Sequence, residues 1–171
     1  MPEGDKPRVL LETSEVLRYV NAEEGHEAVG QLLEWVETGR LDVAVTHAGF
    51  DELTKPLPQP DRAARLRRLL YYAERQQNVF RLGIGRLGVD VLGYADSDQI
   101  ERDLPTAMSA PDRDQFLAYV SSKYDYLAVN DRRFWQAQTK ERIIDKYGLN
   151  VGTSGQCVEY LRATYSLPLS D

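Results

Sequence analysis

A chain of 171 residues with 42% apolar side chains has the length and apolar content for one compact domain with a proper core, and little room for a second. Its 27 acidic residues outnumber 21 lysines and arginines, and a formal net charge of −6 excludes a protein that holds nucleic acid by overall positive charge; any nucleic acid must meet a local basic patch. The single cysteine, Cys157, excludes an intramolecular disulfide, and no C-x-x-C or Cys/His cluster points to zinc, so a reducing, cytoplasmic setting is expected.

Met1 to Arg8 is short and polar without an apolar signal core, and no later apolar run approaches membrane-spanning length, so a soluble chain without a membrane partner is expected. Val9-Leu10-Leu11 is a continuous apolar run, the pattern of a strand covered on both faces, and it ends at Glu12-Thr13-Ser14. Thr13 or Ser14 would cap the helix that follows, with Val16, Leu17 and Val20 at helical spacing and Glu23-Glu24-Gly25 as its break. From His26 an amphipathic helix runs through Val29, Leu32, Leu33 and Val36 to Gly39; His26 at its polar start reads as a surface histidine.

Leu41 to Thr46 reads as the second strand and leads into His47-Ala48-Gly49-Phe50-Asp51-Glu52-Leu53, helical in pattern and closed by Lys55-Pro56. Glu52 then lies about one turn past a strand end, and His47 reads as a capping residue. Asp61 would cap a long helix reaching to about Gln76, in which Arg62, Arg65, Arg67, Arg68 and Arg75 interleave with leucines and Tyr71-Tyr72. That basic face is either solvated surface or a phosphate-contacting patch on an otherwise acidic protein. Val79 to Leu82 reads as the third strand; the glycines after it have the wrong spacing for a phosphate-binding loop, and no helix starts directly behind them.

Ser109 to Asp114 has an early proline and acids in the first turn of a helix whose buried face is Phe116, Leu117 and Val120. Tyr126 to Val129 is a buried strand that stops abruptly at Asn130-Asp131, before a helix carrying Phe134 and Trp135. A helix from about Gln138 to Lys146, a stop at Gly148, a strand Leu149 to Val151 and a last helix capped by Thr153 or Ser154 complete the chain. This order predicts an α/β fold, a three-layer α/β/α sandwich around a central, mostly parallel sheet. Ligands of such sheets bind outside the carboxyl ends of the strands, where Glu12, Glu52, Asp114 and Asp131 all stand, with Asp112 an alternative to Asp114. Carboxylates gathered there repel one another unless hard divalent cations such as magnesium or manganese join them.

On these residues the chain resembles the PIN domain family of metal-dependent ribonucleases, which includes toxins of toxin–antitoxin pairs. Val9-Leu10-Leu11-Glu12-Thr13-Ser14 is similar to the family's opening strand ending in Asp-Thr-Asn or Asp-Thr-Ser, and Glu52-Leu53 to its Glu-Leu after the second strand. Asp114-Gln115-Phe116-Leu117-Ala118 is similar to its aspartate-led helix, and Tyr126 to Phe134 to its Thr-Asn-Asp-x-x-Phe strand end, with Val129 in place of the threonine and Glu12 in place of the first aspartate. The resemblance implies one PIN-like domain over residues 1–171, with 83–108 as an insertion, and an Mg2+- or Mn2+-dependent endoribonuclease that cleaves RNA with a metal-activated water. It implies Glu12, Glu52, Asp114 and Asp131 as metal-binding and catalytic acids. It also implies Thr13, Ser14 and Asn130 as residues that orient them, and RNA, an antitoxin-like protein or a second copy of the chain as partners. Arg62, Arg65, Arg68, Arg132 and Arg133 are the candidate RNA contacts. The competing readings are a non-catalytic PIN-like module that binds RNA or protein, and a phosphoacceptor receiver domain. The latter wants an aspartate after the third strand, where Leu82-Gly83 stands.

Overall fold

The structure, a computed structural model, describes residues 6–46, 59–76, 102–106, 108, 110–121, 124–131 and 139–169, with 46, 74–76, 110–111, 114–115, 118 and 121 given by their backbone alone. Among the described residues five strands, β1 (Arg8–Leu11), β2 (Asp42–Thr46), β3 (Glu74–Gln76), β4 (Tyr126–Ala128) and β5 (Val151–Gly152), form one sheet in the order β3-β2-β1-β4-β5. Every pairing is parallel, with Leu11 opposite Val45 on one side and Ala128 on the other. The helices are α1 (Thr13–Asn21), α2 (Glu27–Glu37), α3 (Pro60–Tyr72), α4 (Ala110–Ser121) and α5 (Ser154–Tyr165), with a π-helical segment at Lys140–Asp145. None of the described helices is long and apolar enough to cross a membrane.

Alternation along the strands divides the core. Val9, Leu11, Val43, Val45, Tyr126 and Ala128 face α1, α2, α3 and α5, while Leu10, Ala44, Leu127 and Val129 face α4 and the π-helical segment. Residues from both faces are almost fully buried, which is why Val9-Leu10-Leu11 is apolar throughout and does not alternate with polar residues. The result is the three-layer α/β/α arrangement expected from the order of elements.

Several local expectations are corrected. The cap of α1 is Glu12, whose side chain accepts the Ser14 amide, so neither Thr13 nor Ser14 caps the helix. Leu17 is exposed, and the buried stripe of α1 is Glu15, Val16, Tyr19 and Val20. Asp61 lies inside α3, which starts at Pro60; proline suits the first helical position because its missing N–H would have no partner there. α3 ends at Tyr72, short of Gln76, because Ala73 turns extended and Glu74 to Gln76 pair with Ala44 to Thr46. The expected strand at Val79 to Leu82 lies outside the described residues, as do His47, Glu52, Phe134, Trp135 and most of 83–108. Gly39 and Gly148 take positive φ of 72° and 61° at the two predicted helix stops.

The amino edge of the sheet is closed by polar contacts. Asp125 accepts the Arg8 amide (2.7 Å) and the Tyr165 hydroxyl (3.0 Å), and Asn150 donates to the Asp125 carbonyl, the Tyr160 hydroxyl and, through its amide, the Tyr119 hydroxyl. Burial pushes Tyr119 up to about 12, so it stays a protonated partner. At the other edge, Gly152 permits a close approach: a Cβ there would overlap the Tyr126 hydroxyl and lie 2.7 Å from Gln156 Oε1. Gln156 is fixed by its capping box with Thr153, and Tyr126 is buried, so neither yields easily. Gly152→Ala is therefore expected to cost about 1–3 kcal/mol, read as a lower urea midpoint at unchanged slope.

Candidate functional site at the carboxyl edge

The chain builds outward from β1 to β2 and β3, then returns to add β4 and β5 on the other side, so its direction reverses between β1 and β4. In an open parallel sheet the crevice outside the carboxyl ends at that reversal is the ordinary ligand site. Glu12 leaves β1 there and Asn130-Asp131 leave β4, and the Glu12 amide donates to the Ala128 carbonyl at 2.9 Å. Ser14 joins the two strand ends. Its hydroxyl donates to Glu12 Oε2 and accepts the Asn130 amide at 2.9 Å, and its own amide donates to the same Glu12 oxygen at 2.8 Å. Glu12 is 5% exposed, and Asn130 and Asp131 are half-buried.

α4 brings a further acid toward this edge. Only four residues separate its last residue, Ser121, from Tyr126 at the amino end of β4, and Tyr119 touches Asn150 just before β5, so the helix ends at the amino edge. Asp112 lies two turns earlier on the buried stripe with Phe116 and Tyr119, roughly 10 Å along the axis toward the carboxyl edge. Asp112 is buried. Of the two acids the sequence offered for α4, Asp112 is the one whose side chain is described.

One acid escaped the sequence reading. Glu15 is 0% exposed, and its carboxylate accepts the Ser154 amide (3.0 Å) and hydroxyl (2.8 Å) at the start of α5, with Arg18 3.5 Å away. Burial, followed by the Glu15 charge, holds the Cys157 thiol well above its ordinary value. The available signal was an acid at the i+3 position from Glu12, between Glu12 and Tyr19 on an otherwise buried stripe.

The α3 arginines have contacts within the fold. Arg65 Nε donates to the Val20 carbonyl at 2.9 Å, and Arg68 pairs with Glu37 at 3.7 Å, tying α3 to α1 and α2. Arg62 Nε is buried without a hydrogen-bond partner, while Arg67 is exposed. Arg132 and Arg133 lie outside the described residues, as does Glu52 and the side chain of Asp114. Among the described residues, no three Asp, Glu, His or Cys side chains gather into a group that would hold a metal. His26, as expected, belongs to the surface and sits beside the Glu23 carbonyl. A shallow cavity lined by Glu34, Trp35, Glu37, Thr38, Arg40 and Pro168 is at the end of α2 that leads into the amino end of β2, away from Glu12 and Asp131.

Comparison with known proteins finds no matching family model, no similar curated protein and no similar solved structure.

Proposed function

We propose that the crevice between the ends of β1 and β4 is the site of a divalent-cation-dependent ribonuclease of PIN type. The observation that carries the reading is the bridge from Glu12 through Ser14 to the Asn130 amide, which sets Asp131 at the reversal point of a parallel sheet. Asp131, one of the donors expected from the resemblance, stands at this crevice, and carboxylates are the oxygen donors that magnesium and manganese take. Asp131, an acid from the first turns of α4 (Asp112 or Asp114) and Glu52 would hold the cation. Bound there, it would supply charge to offset that developing on the phosphodiester and would acidify a water.

The residues of the chain do the rest. Asn130 and Ser14 orient the strand end, and the pair Arg132-Arg133, directly after Asp131, is the first place to look for a contact to the RNA backbone. Arg65 and Arg68 already have partners within the fold, which makes the α3 face a weaker RNA surface than its composition suggests. A protein partner of antitoxin type, pairing with a second copy and a cytoplasmic setting belong to the same reading. A second reading, a binding module of this architecture without hydrolysis, is favoured by one feature: Glu12 turns back onto its own helix.

RNA incubated with the unaltered protein should be cleaved with manganese or magnesium and left whole with a chelator. Cleavage that ignores the chelator would contradict a cation-dependent site. Binding without cleavage of any RNA would favour the module.

A further inference from the structure

We infer that the first turn of α1 is a brace, in which Glu12 is a positioning residue acting through Ser14, with its Oε2 committed to that serine and not to the cation. The inference rests on the proposed site and redistributes its roles. Glu12 Oε2 accepts both the amide and the hydroxyl of Ser14, which uses the lone pairs of that oxygen. A cation taking that oxygen would displace both donors and leave a first-turn amide of α1 without its cap. The backbone of Glu12 is extended (φ −77°, ψ 154°), the ordinary conformation of a cap residue.

Ser14, its hydroxyl hydrogen held by Glu12, offers an oxygen lone pair to the Asn130 amide, across 116 residues of sequence. That amide immediately precedes Asp131, so the strand-end acid is set from α1. A second, separate contact repeats the design. Glu15 closes on the amide and hydroxyl of Ser154, where the chain leaves β5 and enters α5. Both acids of this turn therefore tie down chain segments at the carboxyl edge, one after β4 and one after β5.

The test uses the full chain and two readouts: Mn2+ affinity by calorimetry and hydrogen exchange at the Asn130 amide by NMR. Glu12→Gln retains an acceptor for Ser14 while losing the charge, and should keep Mn2+ affinity within about threefold. Ser14→Ala should weaken Mn2+ roughly tenfold, as loss of a residue that orients a ligand does, and should speed Asn130 exchange about tenfold, with Ser14→Thr restoring both. Asp131→Asn should weaken Mn2+ by about a hundredfold or more and leave Asn130 exchange unchanged. Glu12→Gln weakening Mn2+ as far as Asp131→Asn would overturn the inference and make Glu12 a ligand. If the unaltered protein does not take up Mn2+, the nuclease reading falls but the exchange arm still decides: faster exchange in Ser14→Ala upholds the brace, and unchanged exchange ends it.

Discussion

Replacing Glu15 by alanine is expected to destabilise the protein by about 3–5 kcal/mol, the loss that follows when one partner of a buried charged contact is removed. Ser154 is itself fully buried, so its amide and hydroxyl would lose their acceptor with no route to water. Arg18, whose side chain is only 15% exposed, would lose its nearest opposite charge. Against a total stability of roughly 5–15 kcal/mol this is a large fraction, and it should lower the thermal midpoint by about 10 °C. Glu15→Gln keeps one oxygen for the Ser154 amide and should cost only about 1–2 kcal/mol. Equal losses for the two variants in urea titration would mean that the charge, and not the hydrogen bonds, is what the fold requires.

Asp131→Asn is the second large effect. Under the proposed function the carboxylate helps to hold the cation, and a neutral amide is a poor ligand for a hard ion. Cleavage should fall by at least about a hundredfold, since the cation contributes several kcal/mol to the barrier and each 1.36 kcal/mol is a factor of ten. Stability should change little, because Asp131 is half-buried at a strand end and outside the core. Single-turnover cleavage measured beside a urea titration separates the two. Retained cleavage would remove Asp131 from the chemistry, and loss of cleavage together with loss of stability would make it a structural acid.

What the sequence made legible follows from how local each signal is. Val9-Leu10-Leu11 and Tyr126 to Val129 stand out because strands covered on both faces need unbroken apolar runs, and the abrupt polar residues after each located both sides of the crevice. β3 was invisible. Glu74-Arg75-Gln76 has no apolar pattern, and only its pairing with β2 makes it a strand, which is why the helix before it was drawn too long.

Glu15 was missed for a related reason. Helical spacing placed Leu17 among the buried residues, yet the stripe runs through Glu15, whose burial depends on Ser154, 139 residues away. The Ser14 link to Asn130 is equally distant in sequence, although a parallel pairing of β1 with β4 brings the two strand ends together. The helix cap was misassigned because Ser and Thr are the common choice, whereas here the longer Glu12 reaches back to the amide first.

Whether the crevice at the β1/β4 reversal holds a divalent cation can be read from crystals grown with manganese, through anomalous scattering. One strong peak is expected, bonded to an Asp131 oxygen and to an acid of the first turns of α4, with Glu12 still hydrogen-bonded to Ser14. A peak elsewhere, or none at saturating manganese, would contradict a cation site there.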